Sequence, residues 1–299
     1  MLKPSPSEQA GGRSRIAGRA TDEATAAYAS RFPGLQPAFG PLGSTGLIAS
    51  HAGFGCYRVD YRVAAHVQAL EQALTSGVNV IDTSANYGDG NSEQLIAAVL
   101  ETLIARGQVR RDEVIIVTKG GYIQGQNYDR AVERAQRGSP FPEVVEYDRG
   151  LWHCLHPEFL DDQLHRSMER MNVEHVDVYL LHNPEYYLSW AAKHGRSVDS
   201  ARQEYDRRIR AAFEWLETQA AAGTISSYGI SSNTFPRPST DADFTSLEQI
   251  YAIAEAISSV HHFRVIQLPI NLFERGGVLE QNQGNGTETA LEFARRQGL

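Results

Sequence analysis

The stretch Val78–Glu93, Val-Asn-Val-Ile-Asp-Thr-Ser-Ala-Asn-Tyr-Gly-Asp-Gly-Asn-Ser-Glu, decides the fold class of this chain. Its apolar start predicts a short buried strand that ends at Asp82. A glycine-rich loop containing Tyr87 follows, and a helix is predicted to begin near Asn91. A carboxylate at the end of a strand, with a tyrosine in the next loop, is typical of the catalytic face of barrels that alternate strands and helices.

The same alternation continues on both sides of this stretch. Apolar runs that predict further strands alternate with segments of helical periodicity, several of which end at a glycine. Including a first strand at 49–56, we count six strands and six helices, and regular alternation implies parallel pairing. The remaining predicted strands are 78–82, 114–118, 176–181, 225–230 and 264–270.

Composition limits the function classes that the chain can serve. With 41% hydrophobic and 21% charged residues it is typical of a globular protein, and a net charge of −8 argues against nucleic acid or an anionic membrane as a partner. The sequence has no apolar run of about 20 residues. Two cysteines, Cys56 and Cys154, suit a reducing compartment and predict neither a disulfide framework nor a metal site, so we expect a cytoplasmic protein. The oligomeric state stays open.

Two segments differ from this alternation. Residues 1–38 have few large apolar side chains, and we predict a mobile N-terminal arm preceding one domain at 39–299. The stretch Gly120–His156 is long, with a predicted helix near Asp129–Arg137, and a loop of that length after a barrel strand is expected to act as a lid over the site.

Several motifs in chain order resemble the aldo/keto reductase family. The stretch Val78–Glu93 resembles the family signature, and residues 42–47 resemble its N-terminal hairpin. Val-Ile-Ile-Val-Thr-Lys-Gly at 114–120 and Val-Asp-Val-Tyr-Leu-Leu-His at 176–182 resemble the strands that carry its lysine and histidine. The resemblance implies a (β/α)8 barrel and an oxidoreductase that reduces aldehydes or ketones to alcohols, or runs the reverse reaction, with NADPH as cofactor and NADH not excluded.

The resemblance also implies four catalytic residues. Tyr87 would donate the proton, Lys119 would lower the pKa of that phenol, and Asp82 would pair with the lysine. His182 would donate a hydrogen bond that orients the substrate carbonyl. This chemistry needs those residue types, because charge develops on the carbonyl oxygen and tyrosine is a weak acid without help. Taken singly, each has an ordinary structural explanation, such as a loop cap, a packing residue or a solvated lysine.

Two further motifs resemble the strands that hold the nicotinamide amide. Ser231 and Gln267 match the family positions, whereas the Ser-Ser-Asn order leaves open whether Ser232 or Asn233 takes the second role. In the family the seventh and eighth strands supply further cofactor contacts, and no counterpart of them precedes Leu299. The resemblance therefore implies an incomplete barrel that lacks the last two βα units, with weak NADPH binding, doubtful activity and a tendency to aggregate.

Two alternative functions stay open on the sequence. One is a nicotinamide-binding regulatory subunit with little turnover, because an intact set of catalytic residues is compatible with slow chemistry. The other is a lyase that forms a Schiff base at Lys119 on a similar barrel, for which the spacing of Asp82 and Tyr87 gives no reason.

Overall fold

The computed structural model describes residues 14–299, which contain eleven strands. In chain order they are β1 (Phe39–Pro41), β2 (Ile48–Ser50), β3 (Phe54–Gly55), β4 (Val80–Asp82), β5 (Ile115–Gly120), β6 (Tyr122–Ile123), β7 (Val145–Asp148), β8 (Leu151–His153), β9 (Val176–His182), β10 (Ile225–Ser231) and β11 (Phe263–Gln267).

The same residues contain ten α-helices. In chain order they are α1 (Asp22–Ser30), α2 (Ala64–Thr75), α3 (Asn91–Ala105), α4 (Gln126–Gln136), α5 (Pro157–Met171), α6 (Tyr186–Lys193), α7 (Val198–Ala222), α8 (Leu247–Ile257), α9 (Gly276–Leu279) and α10 (Ala290–Gln297). Within the described part of the chain, no helix combines the length and the apolar character needed to span a bilayer.

The centre of the molecule is a parallel sheet of six strands in the order β11-β10-β9-β5-β4-β3. Strands β5 and β9, at the middle of this sheet, are buried along their whole length, as expected for parallel strands covered on both faces. Helices follow the strands in alternation, so the predicted α/β class and a parallel sheet of six strands are confirmed. The first predicted strand, 49–56, is divided between β2, which pairs antiparallel with β1, and β3 of the parallel sheet. Because all six strands run in the same direction, their carboxyl ends meet at one edge of the sheet.

The sheet stays open among the described residues, with β3 and β11 at its edges. The connection after β11 exposes large apolar side chains: Leu272 is 88% exposed and Phe273 is 97% exposed. An unpaired edge next to exposed apolar side chains is a site at which other strands can pair. The tendency to aggregate that we predicted from the sequence stays a prediction.

Residues 14–38 differ from the mobile arm that we predicted for residues 1–38. Ile16 pairs with Val173, and the backbone N–H of Ala20 donates to Asp177 Oδ1 at 2.7 Å. Tyr28 of α1 is fully buried, and its hydroxyl donates to the carbonyl of Leu74 at 2.7 Å. One buried aromatic and a few backbone hydrogen bonds thus dock this segment at the amino ends of the strands. The first 13 residues of the predicted arm lie outside the described residues.

The stretch Gly120–His156 is a small subdomain rather than a loop with one helix. Strands β6, β8 and β7 form an antiparallel sheet, and α4 lies between β6 and β7. Its apolar side chains join the main core: Val145 is buried, and the ring of Phe141 lies 5.2 Å from that of Phe159. Because it is packed in this way, the segment forms a wall beside the carboxyl ends of the strands, and its action as a lid stays a prediction.

Candidate active site

The four residues that the sequence predicts as catalytic lie at the carboxyl ends of three adjacent strands. Asp82 is the last residue of β4, Lys119 is the penultimate residue of β5, and His182 is the last residue of β9. Tyr87 lies in the loop after β4. Since β4 pairs with β5 and β5 pairs with β9, the structure brings all four side chains to one place.

Lys119 is fully buried and its ammonium group has three acceptors. Nζ lies 2.7 Å from Asp82 Oδ1 in an ion pair, and it donates to the carbonyl of Thr83 at 2.8 Å and to Tyr87 Oη at 3.4 Å. Burial lowers the pKa of Lys119, and the Asp82 carboxylate opposes that shift. The ion pair with Asp82 and the two hydrogen bonds together favour the charged form of Lys119.

Tyr87 keeps its proton in this environment. Burial, with a further contribution from the Asp82 carboxylate, raises the pKa of Tyr87 above its usual value of 10. This differs from the sequence-based expectation that Lys119 lowers that pKa, because Lys119 is itself paired with Asp82. Since the ammonium donates to the phenolic oxygen, the phenolic proton is directed elsewhere and can be given to a substrate.

The loop of Tyr87 needs glycine for its shape. Gly88 and Gly90 have φ of 55° and 88°, a region that residues with a Cβ rarely adopt. A Cβ added to Gly90 would lie 2.7 Å from the Cδ of Arg170 on α5. Asp89 then accepts a hydrogen bond from the backbone N–H of Gln126 at 2.9 Å, which fixes the loop against α4. The sequence therefore places the tyrosine by backbone geometry as well as by its side-chain contacts.

His182 is a neutral imidazole held on one side. Its Nδ1 lies 3.0 Å from Ser84 Oγ, and burial lowers its pKa well below 6.5, with a further contribution from Lys119. The ring of Tyr122 meets it edge-on at a centroid distance of 4.7 Å, and that of Tyr87 at 5.8 Å. Nε2 has no hydrogen-bond partner within residues 14–299, and the side chain lines a cavity.

This cavity has a volume of about 600 Å³. Asp82, Tyr87 and His182 form one side of it, and Tyr122 of β6 contributes a wall from the small subdomain. Tyr57, which is 63% exposed, lies at the cavity with its ring 5.1 Å from that of Tyr87. Lys119 lies behind the cavity and reaches it only through Tyr87 and Asp82.

A further wall of the cavity carries polar side chains from β10, from the loop after it and from β11. Ser231, Asn233 and Gln267 line it, and none of their side chains has a hydrogen-bond partner in the described range. Ser231 is the register partner of both His182 and Gln267, which places this wall directly beside the histidine. Three free polar groups that can both donate and accept are suited to binding a carboxamide.

The structure separates the two residues between which the sequence could not choose. Ser232 is buried and turns away from the cavity, because its Oγ accepts from the backbone N–H of Thr234 at 3.1 Å. The side chain of Asn233 lines the cavity, and its backbone N–H donates to Glu185 Oε1 at 2.9 Å. Asn233 is thus placed to contact a bound molecule, and Ser232 is placed to shape the loop.

Two residues that follow His182 were not among the predicted site residues. Asn183 lines the cavity with φ of 51°, accepts from the hydroxyl of Tyr122 at 3.1 Å and donates to Glu185 Oε1 at 2.8 Å. Glu185 is buried, and burial raises its pKa. The sequence signal that could have found them is Asn-Pro-Glu directly after the strand-end histidine, where polar side chains rarely serve packing alone.

Comparison with known proteins agrees with this arrangement. The sequence model of the Aldo/keto reductase family matches residues 53–258, which is more than half of the chain. The chain is 28% identical over 150 residues to the NADH-specific methylglyoxal reductase of Escherichia coli (strain K12), covering 48% of this chain and 40% of that protein. It is 23% identical over 267 residues to the NAD(P)H-dependent D-xylose reductase of Scheffersomyces stipitis, covering 81% of this chain and 70% of that one.

Solved structures show the same fold. A thermostable aldo-keto reductase in complex with the inhibitor epalrestat aligns with a TM-score of 0.55 at 19% identity, covering 87% of this chain and 70% of that one. The chain spans about half the length of the first curated relatives that it matches. The matched range includes Asp82, Tyr87, Lys119 and His182, which the ends of three adjacent strands bring together. The chain belongs to the aldo/keto reductase family.

Proposed function

We propose that this protein is an NADPH-dependent oxidoreductase that reduces aldehydes or ketones to alcohols, or catalyses the reverse reaction. One observation carries the proposal. Lys119 is enclosed behind Tyr87 and bonds to both Asp82 and the phenolic oxygen, which leaves a protonated tyrosine facing a cavity. That arrangement provides a proton donor at a site where negative charge develops on a carbonyl oxygen.

The residues of the site divide the reaction between them. When bound, a reduced nicotinamide supplies a hydride to the carbonyl carbon. Tyr87 then gives its proton to the developing alkoxide, and the ammonium of Lys119 stabilises the negative charge that remains on the phenolic oxygen. Asp82 holds Lys119 in place through the 2.7 Å ion pair. His182 positions the substrate beside Tyr87 without carrying a charge.

The cofactor is assigned to the wall formed by β10 and β11. Ser231, Asn233 and Gln267 present free polar side chains next to His182, and these fit the carboxamide of a nicotinamide ring. Two relatives support this class of cofactor, since one is named as NADH-specific and another as NAD(P)H-dependent. The preference for NADPH over NADH stays a prediction, because the three side chains assigned to the cofactor would bind only its nicotinamide end.

The substrate is proposed to be a small carbonyl compound or its alcohol. Relatives are named as reductases of methylglyoxal and D-xylose, both small polar carbonyl compounds. The cavity combines aromatic rings with polar groups such as Asn86 and Gln124, which suits a substrate of that kind. Two free buried cysteines, Cys56 and Cys154, accord with a reducing compartment, so a cytoplasmic location belongs to the same proposal.

The two alternative functions differ in how well the geometry supports them. A Schiff-base lyase needs a neutral lysine that substrate can reach, whereas Lys119 is fully buried and bonded to three acceptors. A regulatory subunit that binds nicotinamide and turns over slowly keeps the same cavity. The oxidoreductase and the regulatory subunit therefore differ in the rate of turnover and not in the architecture of the site.

Turnover assays test the proposal. Oxidation of NADPH, NADH and reduced nicotinamide mononucleotide should be followed on addition of small aldehydes, with the alcohol product identified. The mononucleotide belongs in the set because it needs only the nicotinamide contacts. Aldehyde-dependent oxidation supports the proposal, and cofactor binding without turnover supports the regulatory subunit. Borohydride trapping of substrate on Lys119 would overturn the proposal in favour of the lyase.

A further inference from the structure

A chain of hydrogen bonds leads from the small subdomain to the imidazole of His182. Asn86 Nδ2 donates to Gln124 Oε1 at 2.9 Å, and Asn86 Oδ1 accepts from Ser84 Oγ at 2.7 Å. Ser84 Oγ in turn lies 3.0 Å from His182 Nδ1. Of these residues, Ser84 is buried, whereas Asn86 and Gln124 line the cavity together with His182.

The direction of these bonds decides which ring nitrogen carries the proton. A hydroxyl has one proton, and Ser84 uses it toward a carbonyl oxygen, either Asn86 Oδ1 at 2.7 Å or the backbone carbonyl of Lys119 at 3.4 Å. The oxygen of Ser84 must therefore accept from His182, so Nδ1 is the protonated nitrogen. A neutral imidazole has only one N–H, and Nε2 is left as an acceptor. This polarity follows from the amide orientation of Asn86, which the experiment below tests directly.

We propose that Ser84 and Asn86 are positioning residues that hold His182 as its Nδ1-protonated tautomer, so that Nε2 accepts a hydrogen bond from a hydroxyl of the substrate. The expectation from the sequence was the opposite polarity, in which His182 donates to the carbonyl. An acceptor at Nε2 repels a carbonyl oxygen but binds a hydroxyl. Because the rings of Tyr87 and His182 have centroids 5.8 Å apart and both line the cavity, one small molecule can contact both.

The substrate class follows from the two groups together. Tyr87 donates a proton to the carbonyl oxygen, and His182 accepts from a hydroxyl on the neighbouring carbon. The site therefore selects hydroxyaldehydes and hydroxyketones over carbonyl compounds of the same size without the hydroxyl. This substrate preference rests on the proposed function, whereas the tautomer of His182 does not.

The tautomer can be measured without turnover. In protein labelled with nitrogen-15 at histidine, the protonated and bare ring nitrogens of His182 differ strongly in chemical shift, and His182→Asn identifies the signals. At about pH 8, wild type should show a protonated Nδ1. Asn86→Asp, which can only accept, should keep this tautomer, and Ser84→Ala should lose it. Ser92→Ala removes a buried hydroxyl that bonds to Thr83 and to the carbonyl of Tyr87 but not to His182, and should leave the signals unchanged.

Substrate preference tests the second part. Glycolaldehyde and propionaldehyde have the same size and differ by a hydroxyl in place of a methyl group. Wild type should prefer glycolaldehyde in kcat/KM by about tenfold, the effect of one hydrogen bond, and Ser84→Ala should bring that ratio close to one. A protonated Nε2 in wild type, or a tautomer that reverses in Asn86→Asp, would overturn the positioning role. Equal use of both aldehydes would overturn the selection of hydroxyl compounds. Reduction of neither aldehyde would overturn the proposed function, and the tautomer measurement would still decide the positioning role.

Discussion

Replacing Tyr87 with phenylalanine removes the proton donor and little else. The phenolic oxygen of Tyr87 has one hydrogen-bond partner among the described residues, Lys119 Nζ at 3.4 Å, and that ammonium keeps Asp82 and the carbonyl of Thr83 as acceptors. General acid catalysis contributes about 10²–10⁴-fold to a rate. This corresponds to about 3–5 kcal/mol of barrier, at about 1.4 kcal/mol per tenfold. The loss of one long hydrogen bond should reduce stability by about 1 kcal/mol or less.

The assay compares kcat/KM for aldehyde reduction at one cofactor concentration with the free energy of unfolding of the same variants. Tyr57→Phe is the matched control, because Tyr57 lines the same cavity and packs edge-on against Tyr87, but its ring is 63% exposed. We expect a large loss of activity for Tyr87→Phe and a small change for Tyr57→Phe. The reasoning is refuted if Tyr87→Phe retains more than about a tenth of wild-type kcat/KM, or if the two variants lose activity equally.

Four further results are expected. The rate of reduction should be flat from about pH 6.5 upward until Lys119 loses its proton. The lowered pKa of His182 extends its neutral form downward, and the raised pKa of Tyr87 leaves the lowered pKa of Lys119 as the upper limit. Asp177→Ala should cost about 3–5 kcal/mol of stability, since it leaves a buried guanidinium unpaired. A fluorescence titration should show weak NADPH binding, because the side chains proposed to contact the cofactor, Ser231, Asn233 and Gln267, all lie at the nicotinamide end. The pKa of Glu185 is raised in the folded state, so this carboxyl group stabilises the fold only while it is protonated. The free energy of unfolding of wild type should therefore fall as pH rises above about 4.3, and Glu185→Gln should remove that fall.

Each of these has a control or a contradicting outcome. A bell-shaped profile centred near neutral pH would contradict the assigned protonation states of Tyr87 and His182. Asp60→Ala breaks an exposed ion pair and should change the free energy of unfolding little. An equally small effect of Asp177→Ala would show that the buried ion pair does not stabilise the fold. Tight, saturable NADPH binding in the fluorescence titration would contradict the expected weak binding. A Glu185→Gln variant that is less stable than wild type at neutral pH would show that the carboxylate is needed in its charged form.

The strands that carry the site could be predicted because long, strongly apolar segments end at polar residues. Strands β5 and β9 are buried throughout, so their composition alone separates them from the helices, and Lys119 and His182 mark their ends. The antiparallel sheet of the small subdomain could not be predicted in this way. Its strands β6 and β8 have only two and three residues, which is too short for alternation between apolar and polar side chains to be recognised.

The pKa of Tyr87 shows a different limit of the sequence. The residues that surround the phenol could be named, and the expected ammonium is present. The direction of the shift depends instead on how deeply the phenol is buried and on whether Lys119 has another partner. Asp82 lies 2.7 Å from Nζ, closer than Tyr87 Oη at 3.4 Å, so the lysine charge is largely compensated before it reaches the phenol. Such a competition is decided by a difference of less than 1 Å between two distances, which a motif does not specify.

The choice between Ser232 and Asn233 was open for a related reason. Side chains alternate between the two faces of a sheet only while the backbone stays extended, and β10 ends at Ser231. Beyond that point, the backbone N–H of Ser232 bonds to the carbonyl of Gln267 at 2.9 Å, and the N–H of Asn233 bonds to Glu185 Oε1 at 2.9 Å. A carboxylate in the loop after β9 therefore holds the backbone at Asn233, whose side chain lines the cavity. The wall assigned to the nicotinamide depends on this contact between the loops that follow β9 and β10, and it could be recognised only once both loops were in place.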